Sequence, residues 1–352
     1  MNKSKAVTIK DIARACGVSI ITVSRVLSGS DYPVKNETRE KVLKAAKELN
    51  YQPNLLARGL KTNKTTEIVV VVPSITNPFY TSIITGVENV AIKNGHSVTL
   101  FNCANRHGSG STIIENIINR RVDKVVLSTG DSNALQVKKL ISKHVRVVLV
   151  DCMIPDVDCN RIYFNYRKGA YLETEYLIKQ GHRRFRYLGL KPDSQTRIDR
   201  VEGFKDALRD AGIKFEDDFI LYFDESKELE SNRENIEFKA GFTLAKEAIA
   251  SPVKPTAIIA ANDMMALGVL SYCNSINIKV PEDISVVGFD DSIFAEISHP
   301  AITTIRVPAE QMGEMAAKLL LDGEQDEADN PKFNIVLEPE LIVRNSVKAI
   351  AE

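Results

Sequence analysis

A short segment near the start of the chain carries side chains suited to contacts with DNA. Thr22 and Ser24 offer hydroxyls that, together with the backbone amides of a helix N-terminus, suit phosphate oxygens. Arg25 has the fork geometry for a bidentate contact with a guanine edge. Ile20 and Ile21 can contact thymine methyl groups but donate no hydrogen bond. The alternative for these two isoleucines is that one packs into a local core and leaves the other as the base-reading residue.

The charge of the chain supports a nucleic-acid partner for this segment. The whole chain is neutral, with 46 Lys and Arg against 46 Asp and Glu. Residues 1–66 hold thirteen Lys and Arg against five Asp and Glu, so this segment carries a net charge of +8 and the remainder −8. A basic module ahead of a mildly acidic body indicates a polyanionic partner. The alternative is that the lysines only solvate helix faces.

Three short helical patterns within residues 8–50 would position the candidate contacts. The first has Thr8 and Asp11 at capping positions, and Gly17 follows it as a residue suited to left-handed backbone. Ser19 can cap the second helix, which carries the candidate DNA contacts, and a third helix follows. Two short helices joined by a glycine turn and supported by a third are typical of a helix-turn-helix unit.

From residue 67 onward, strand-length aliphatic runs alternate with amphipathic helical stretches in about nine units. Apolar strands that are each followed by a helix predict parallel sheets covered on both sides. Because about nine units are too many for one compact sheet, we expect two α/β lobes.

Other features of the sequence exclude several classes of protein. No apolar run reaches the length of about 20 residues that a membrane span requires, and the N-terminus does not have the pattern of a signal peptide. Five cysteines without a C-x-x-C pair favour reduced thiols in a cytoplasm. No catalytic triad order, paired-carboxylate spacing or H-E-x-x-H motif stands out. We therefore expect neither enzymatic activity nor a cofactor or metal.

One motif of the chain is the run G-V-S-I-I-T-V-S-R-V-L, at residues 17–27. It resembles the headpiece of the lac repressor family of bacterial transcription regulators, and it is the most specific of several such matches. Further matches lie at residues 37–61, 77–80, 181–184, 261–268, 284–291 and 341–347, so the resemblance covers nearly the whole chain. It implies an all-α helix-turn-helix headpiece followed by an α/β core of two parallel-sheet lobes, similar to the periplasmic sugar-binding proteins.

The resemblance also implies a division of the chain into parts. We expect the following bounds: a headpiece at 1–52, a hinge helix and linker at 53–66, and an effector-binding and dimerisation core at 67–352, with a first lobe of about 67–163 plus 294–326 and a second of about 164–293 plus 327–352. In the family the hinge becomes ordered on operator DNA and inserts a leucine into the minor groove. Leu60 matches that leucine, and Ala57 and Lys61 are further candidate DNA contacts. The alternative is an ordinary flexible linker.

By the same resemblance, an effector site lies between the two lobes. The matching positions are Phe79, Tyr80, Asp151, Arg200, Ile236, Asn262 and Asp290. Most of them lie near the C-terminal end of a strand, where α/β sheets bind ligands. A guanidinium, an amide and two carboxylates near an aromatic ring suit a polyhydroxylated ligand. Ile236 stands where the family often has an aromatic residue that stacks on the ligand. Asp263 is expected to cap the helix that follows it. Arg197 is either a ligand contact or a surface charge.

Together these features predict a sequence-specific DNA-binding transcription regulator, acting as a repressor whose affinity for its operator is switched by a small-molecule effector. A sugar or sugar derivative is the expected effector, and two headpieces reading two half-sites imply a homodimer. The alternative is a solute-binding protein of the same two-lobed fold, against which the basic headpiece and the missing signal peptide argue. Whether the effector releases DNA or promotes binding stays open.

Overall fold

The computed structural model describes residues 7–27, 32–51, 66–103, 109–129, 134–225, 235–322 and 332–350. The chain divides into two compact units, Met1–Lys64 and Thr65–Glu352. The first unit contains the headpiece. Its helices are α1 (Ile9–Cys16), α2 (Ile20–Leu27) and α3 (Asn36–Glu48).

The three headpiece helices pack around a small apolar core. Ile12, Val23 and Val42, one from each helix, are completely buried at its centre. The backbone N–H and the hydroxyl of Thr8 both donate to the Asp11 carboxylate, at 2.9 and 2.7 Å. These bonds fix the start of α1, and the first of them satisfies a backbone donor that the helix N-terminus leaves free.

The second unit is an α/β core in which strands and helices alternate. In chain order its elements are β1 (Glu67–Val72), α4 (Pro78–Lys93), β2 (Ser97–Asn102), α5 (Ser109–Asn119), β3 (Lys124–Leu127), α6 (Ala134–Ile141), β4 (Arg146–Val150), β5 (Asn160–Phe164), α7 (Tyr166–Lys179), β6 (Phe185–Leu190), α8 (Gln195–Asp210), β7 (Ile220–Phe223), α9 (Ile236–Ala250), β8 (Ala257–Ala260), α10 (Asp263–Ser275), β9 (Ser285–Asp290), α11 (Ile293–Ile297), β10 (Thr303–Arg306), α12 (Ala309–Asp322), β11 (Asn334–Leu337) and β12 (Glu340–Ile342).

The strands form two sheets, one in each lobe. The first lobe has the strand order β11-β5-β4-β3-β1-β2, and all its neighbouring strands are parallel. The second has the order β12-β10-β9-β8-β6-β7, with only the β10–β12 pair antiparallel. Alternate residues of β1 enter the apolar clusters on the two faces of its sheet, which explains the unbroken apolar run of this strand. Among the described helices, none combines the length and apolarity needed to cross a membrane.

Helix α12 packs closely against α4, because each helix presents a glycine to the other. A Cβ at Gly86 would collide with the carbonyl oxygen of Glu310, and one at Gly313 with that of Ile83. The backbones therefore approach more closely than larger side chains would allow. This contact holds α12 on the first lobe although the chain arrives there from the second.

The lobe bounds expected from the sequence are wrong at two strands. β10 was expected in the first lobe, but Thr303 pairs with Val287 of β9 in the second. β11 was expected in the second lobe, but Asn334 pairs with Arg161 of β5 in the first. The chain therefore returns to the first lobe only after β10 and leaves it again between β11 and β12. The apolar pattern of the sequence does not predict these late crossings, because a buried strand has the same pattern of apolar residues in either sheet.

Candidate functional site

The turn before α2 is built as the sequence predicts. Gly17 has φ 65°, and its left-handed backbone ends α1 so that the chain can turn into α2. The Ser19 hydroxyl oxygen accepts a hydrogen bond from the Thr22 backbone N–H at 3.1 Å and lies 2.8 Å from the Thr22 hydroxyl. Ser19 therefore caps the N-terminus of α2. This cap fixes where the helix that carries the candidate base-reading residues begins.

Both isoleucines at the start of α2 face solvent. Ile20 is 43% exposed and Ile21 is 63% exposed, while Val23 and Val26 supply the buried side of the helix. The alternative that one isoleucine joins the headpiece core is therefore wrong. α2 presents two apolar side chains outward at its N-terminal end, which is where a recognition helix contacts base edges.

Arg25 lies on the same helix and stacks on an aromatic ring. Its guanidinium carbon is 3.5 Å from the centroid of the Tyr32 ring. Tyr32 did not emerge from the sequence, because it lies in the segment after α2 where no helical spacing links it to Arg25. The three remaining candidate DNA contacts, Ala57, Leu60 and Lys61, lie outside the described residues.

In the core, Arg200 of α8 is held beside two aromatic rings and a carboxylate. Its guanidinium carbon lies 4.2 Å from the centroid of the Tyr166 ring and 4.7 Å from that of Phe289. Its Nη2 is 3.7 Å from Oδ1 of Asp290, the last residue of β9. Cation–ring contacts of this kind stabilise a guanidinium in a low-dielectric site and leave its edge able to donate.

Asp151 follows β4 and brings a second carboxylate to the same place. Its backbone is left-handed, with φ 57°, and its carboxylate accepts a hydrogen bond from the Tyr166 hydroxyl. Burial raises the pKa of Asp151 to about 6, while the Tyr166 hydrogen bond and Arg200 oppose that rise. Burial likewise raises the pKa of Asp290 well above its usual range, against the pull of Arg200. The site therefore combines a permanent cation with carboxyl groups that hold protons readily.

Tyr80 is the predicted aromatic residue that lies among these charges. Burial raises the pKa of its hydroxyl, and Asp151 and Glu237 raise it further. Phe79 is instead buried in the core of the first lobe, with its ring 5.1 Å from that of Tyr80 in an edge-to-face contact. Phe79 therefore packs behind Tyr80, and of the two rings Tyr80 is the one that can contact a ligand.

Asn262 takes the capping role that the sequence assigns to Asp263. The Asn262 side-chain oxygen accepts the Met265 N–H at 2.9 Å, so Asn262 and not Asp263 caps α10. Asp263 is buried, and its carboxylate accepts from the Thr304 hydroxyl and the Ser292 N–H, both at 2.7 Å. Burial raises the pKa of Asp263 to about 7. The Nδ2 amide of Asn262 can still donate to a ligand.

The expectation for Ile236 is wrong, because this residue belongs to the apolar core of the second lobe. Ile236 is the first residue of α9 and is buried in that core, so it cannot stack on a ligand. The next residue, Glu237, turns to the other lobe and accepts a hydrogen bond from the Asn77 amide at 3.4 Å.

Arg197 donates to Asp193 at 2.8 Å and to Glu225 at 2.9 Å, which identifies it as the centre of an ion-pair network.

Two further residues of the site were not found from the sequence. Tyr166 is the first residue of α7, which begins shortly after β5 ends at Phe164. The side chain of Asn165 caps α7 by accepting from Lys168 N–H at 3.2 Å, and reading Asn165 as a cap would have located the start correctly. Glu173 is buried on α7, and within the described part of the chain neither its Oε2 nor the Nε of Arg200 has a hydrogen-bond partner. Nothing in the sequence distinguishes Glu173 from the exposed acids of an amphipathic helix.

The helix-turn-helix headpiece and the two-lobed core define a class of ligand-responsive regulatory protein, and comparison with known proteins identifies the family. Residues 8–54 match the model of the bacterial regulatory proteins of the lacI family, and residues 174–347 match a periplasmic binding protein-like domain. The HTH-type transcriptional repressor PurR of Vibrio vulnificus (strain CMCP6) is 33% identical over 97% of this chain and 99% of its own length.

Two further similarities point the same way. The ribose operon repressor of Escherichia coli (strain K12) is 33% identical over 89% of this chain and 92% of its own length. The structure of the lac repressor dimer bound to operator and the anti-inducer ONPF superposes with a TM-score of 0.83, at 27% identity, over 98% of this chain and 100% of that chain. The chain belongs to the lac repressor family of bacterial transcription regulators, a family of repressors and not of enzymes. The predicted family and fold class are thereby confirmed.

Proposed function

We propose that this protein is a repressor that binds operator DNA as a cytoplasmic homodimer and changes its affinity for DNA when a small molecule binds between the lobes of its core. The observation that carries the proposal is the outward face of α2, where Ile20 and Ile21 are exposed beside Arg25. Apolar side chains and a guanidinium on one helix can contact thymine methyl groups and a guanine edge in the major groove. The relatives named as repressors, and the neighbour bound to operator as a dimer, support the same assignment.

The parts of the chain would divide this work. Residues 1–52 would form the DNA-reading headpiece, and residues 53–66 would form the hinge, with Ala57, Leu60 and Lys61 at the minor groove. Residues 67–352 would bind the effector and dimerise. Since one headpiece reads too few base pairs to be selective, two copies are needed for half-sites about 34 Å apart.

A sugar or sugar derivative is the effector that the site suits best. Hydroxyl groups both donate and accept hydrogen bonds, and the site offers the carboxylates of Asp151 and Asp290 as acceptors and Arg200 as a donor. Tyr80 supplies an aromatic ring beside them. The relative named for the ribose operon supports this class of ligand.

Selection of bound duplexes from a randomised DNA pool tests the DNA-binding function. We expect the full chain to enrich a two-fold symmetric sequence, and the chain without residues 1–61 to retain none of it. A solute-binding protein of the same fold would bind ligand without enriching any duplex. Failure of the full chain to enrich a duplex would refute the assignment as a repressor.

A thermal-shift screen of the full chain against sugars, sugar acids, sugar phosphates and purines tests the effector class. A bound ligand raises the melting temperature because it binds the folded state and not the unfolded one, which stabilises the folded state by RT ln(1 + [L]/Kd). We expect a sugar or sugar derivative to raise it in the wild type and not in Asp290→Asn, while Glu88→Gln, an exposed change on α4, behaves as wild type. An equal shift in Asp290→Asn would place the ligand elsewhere, and a shift with purines alone would contradict the sugar assignment.

A further inference from the structure

The contact between Arg25 and Tyr32 joins the candidate base-reading helix to the segment that follows it. The guanidinium carbon lies 3.5 Å from the centre of the ring, which places the cation directly over the aromatic face. Arg25 itself is half-buried on α2, and Tyr32 is 52% exposed. The ring therefore accompanies Arg25 to the surface of the headpiece.

Stacking on the Tyr32 ring does not itself use the hydrogen-bond donors of the guanidinium. Stacking covers one flat face of the group, whereas its N–H donors point outward in the plane of the group. A bidentate contact with guanine O6 and N7 uses two of those in-plane donors. Both contacts can therefore exist at the same time on one side chain.

A free arginine side chain samples many rotamers, and binding a base restricts it to one. A ring that already restricts the side chain removes part of that entropic cost before DNA arrives. The contact lies within the protein and involves no phosphate. Losing it should therefore change how tightly Arg25 binds its base and leave the phosphate contacts unchanged.

We propose that Tyr32 is a positioning residue for base recognition, which holds the Arg25 guanidinium by its face so that its edge meets a guanine in the major groove. The proposal rests on the proposed function, in that the chain must bind a specific duplex. It extends the reading surface beyond α2 to a residue of the segment between α2 and α3. The opposite role, in which the ring holds Arg25 away from DNA, predicts a change of opposite sign when the ring is removed.

The test measures discrimination by the full chain between the duplex it selects and a second duplex. In the second duplex one G·C pair becomes A·T, at the position where Arg25→Ala loses discrimination. Removing the ring with Tyr32→Ala should reduce the discrimination about two- to fivefold, the range expected for an exposed cation–ring contact. Tyr32→Phe keeps the ring and should retain wild-type discrimination. Circular dichroism melting of each variant confirms that the headpiece remains folded.

Two further readouts separate positioning from direct contact. In an Arg25→Ala background, Tyr32→Ala should have no additional effect, because the side chain that it positions is gone. The salt dependence of binding should be the same in Tyr32→Ala and in wild type, since no phosphate contact is lost.

Several results would overturn the proposal. Unchanged or tighter discrimination in Tyr32→Ala would do so, as would an equal loss in the Arg25→Ala background. If the chain selects a duplex but Arg25→Ala discriminates as wild type does, the inference fails while the repressor function stands. If no duplex is selected, the proposed function itself fails.

Discussion

Asp151→Asn is expected to remove a pH-dependent contribution to the stability of the core. The variant keeps the shape of the side chain and an oxygen that accepts from the Tyr166 hydroxyl, but it cannot ionise. Burial raises the pKa of Asp151 from 3.8 to about 6 in the folded protein. The folded state therefore binds this proton more tightly than the unfolded state does. The stabilisation is fully present below pH 3.8 and is lost as the pH rises through about 6.

The size of the effect follows from the two pKa values. A difference of about two pKa units amounts to about 3 kcal/mol across the whole range, at 1.36 kcal/mol per unit. Between about pH 5 and about pH 7, Asp151 accounts for about 1.3 kcal/mol of lost stability by the same linkage. Solvent screening of this half-buried group makes that figure an upper bound.

Urea denaturation followed by circular dichroism measures this loss, because the chain contains no tryptophan for fluorescence. Wild type and variant are compared at about pH 5 and about pH 7 and at one protein concentration, since oligomerisation adds to the stability that is measured. We expect the free energy of unfolding of the wild type to fall by about 1 kcal/mol more than that of Asp151→Asn. Glu88→Gln should follow the wild type. An identical fall in wild type and Asp151→Asn would refute the account of the charges in the site.

Three other perturbations test the remaining parts of the account. If the headpiece neutralises phosphates, the logarithm of the affinity for duplex DNA should fall linearly with that of salt concentration, by about 0.9 per phosphate contacted; a slope near zero would exclude this. Leu60→Ala should reduce operator bending in a circular-permutation assay and weaken operator binding about tenfold, the equivalent of about 1.4 kcal/mol, while ligand binding persists; unchanged bending would show that the hinge assignment is wrong. Asp290→Ala should leave operator affinity unchanged on addition of effector, measured by fluorescence anisotropy, and a wild-type response would place the effector elsewhere.

The local structure of the headpiece could be predicted from the sequence because short-range chemistry determines it. Gly17 ends α1 in the left-handed conformation and Ser19 caps α2, as their residue types and positions indicate. The alternation of strands and helices in the core was equally visible, because strands such as β1 are apolar on both faces.

The parts that the sequence did not reveal depend on contacts between residues distant in the chain. The exchange of β10 and β11 between the lobes is decided by strand pairing, which the apolar pattern does not encode. Asn262 and Asp263 are both suitable caps, and only the buried partners of Asp263 decide between them. Ile236 and Glu237 are neighbours at the start of α9, but Ile236 lies in the core of the second lobe and Glu237 faces the first lobe. An error of one residue in matching the sequence to the family therefore selects a core residue in place of one between the lobes.

The central claim is that a ligand in the core changes specific DNA binding by the headpiece. The most direct test measures the affinity of the full chain for its selected duplex and for a scrambled duplex, each with and without the sugar that raises its melting temperature. We expect the selected duplex to bind at least about a thousandfold more tightly than the scrambled one. The sugar should change the affinity for the selected duplex about 5- to 150-fold, and that duplex should change the affinity for the sugar by the same factor. Equal affinities for the two duplexes, or a sugar that binds without changing either, would contradict the account.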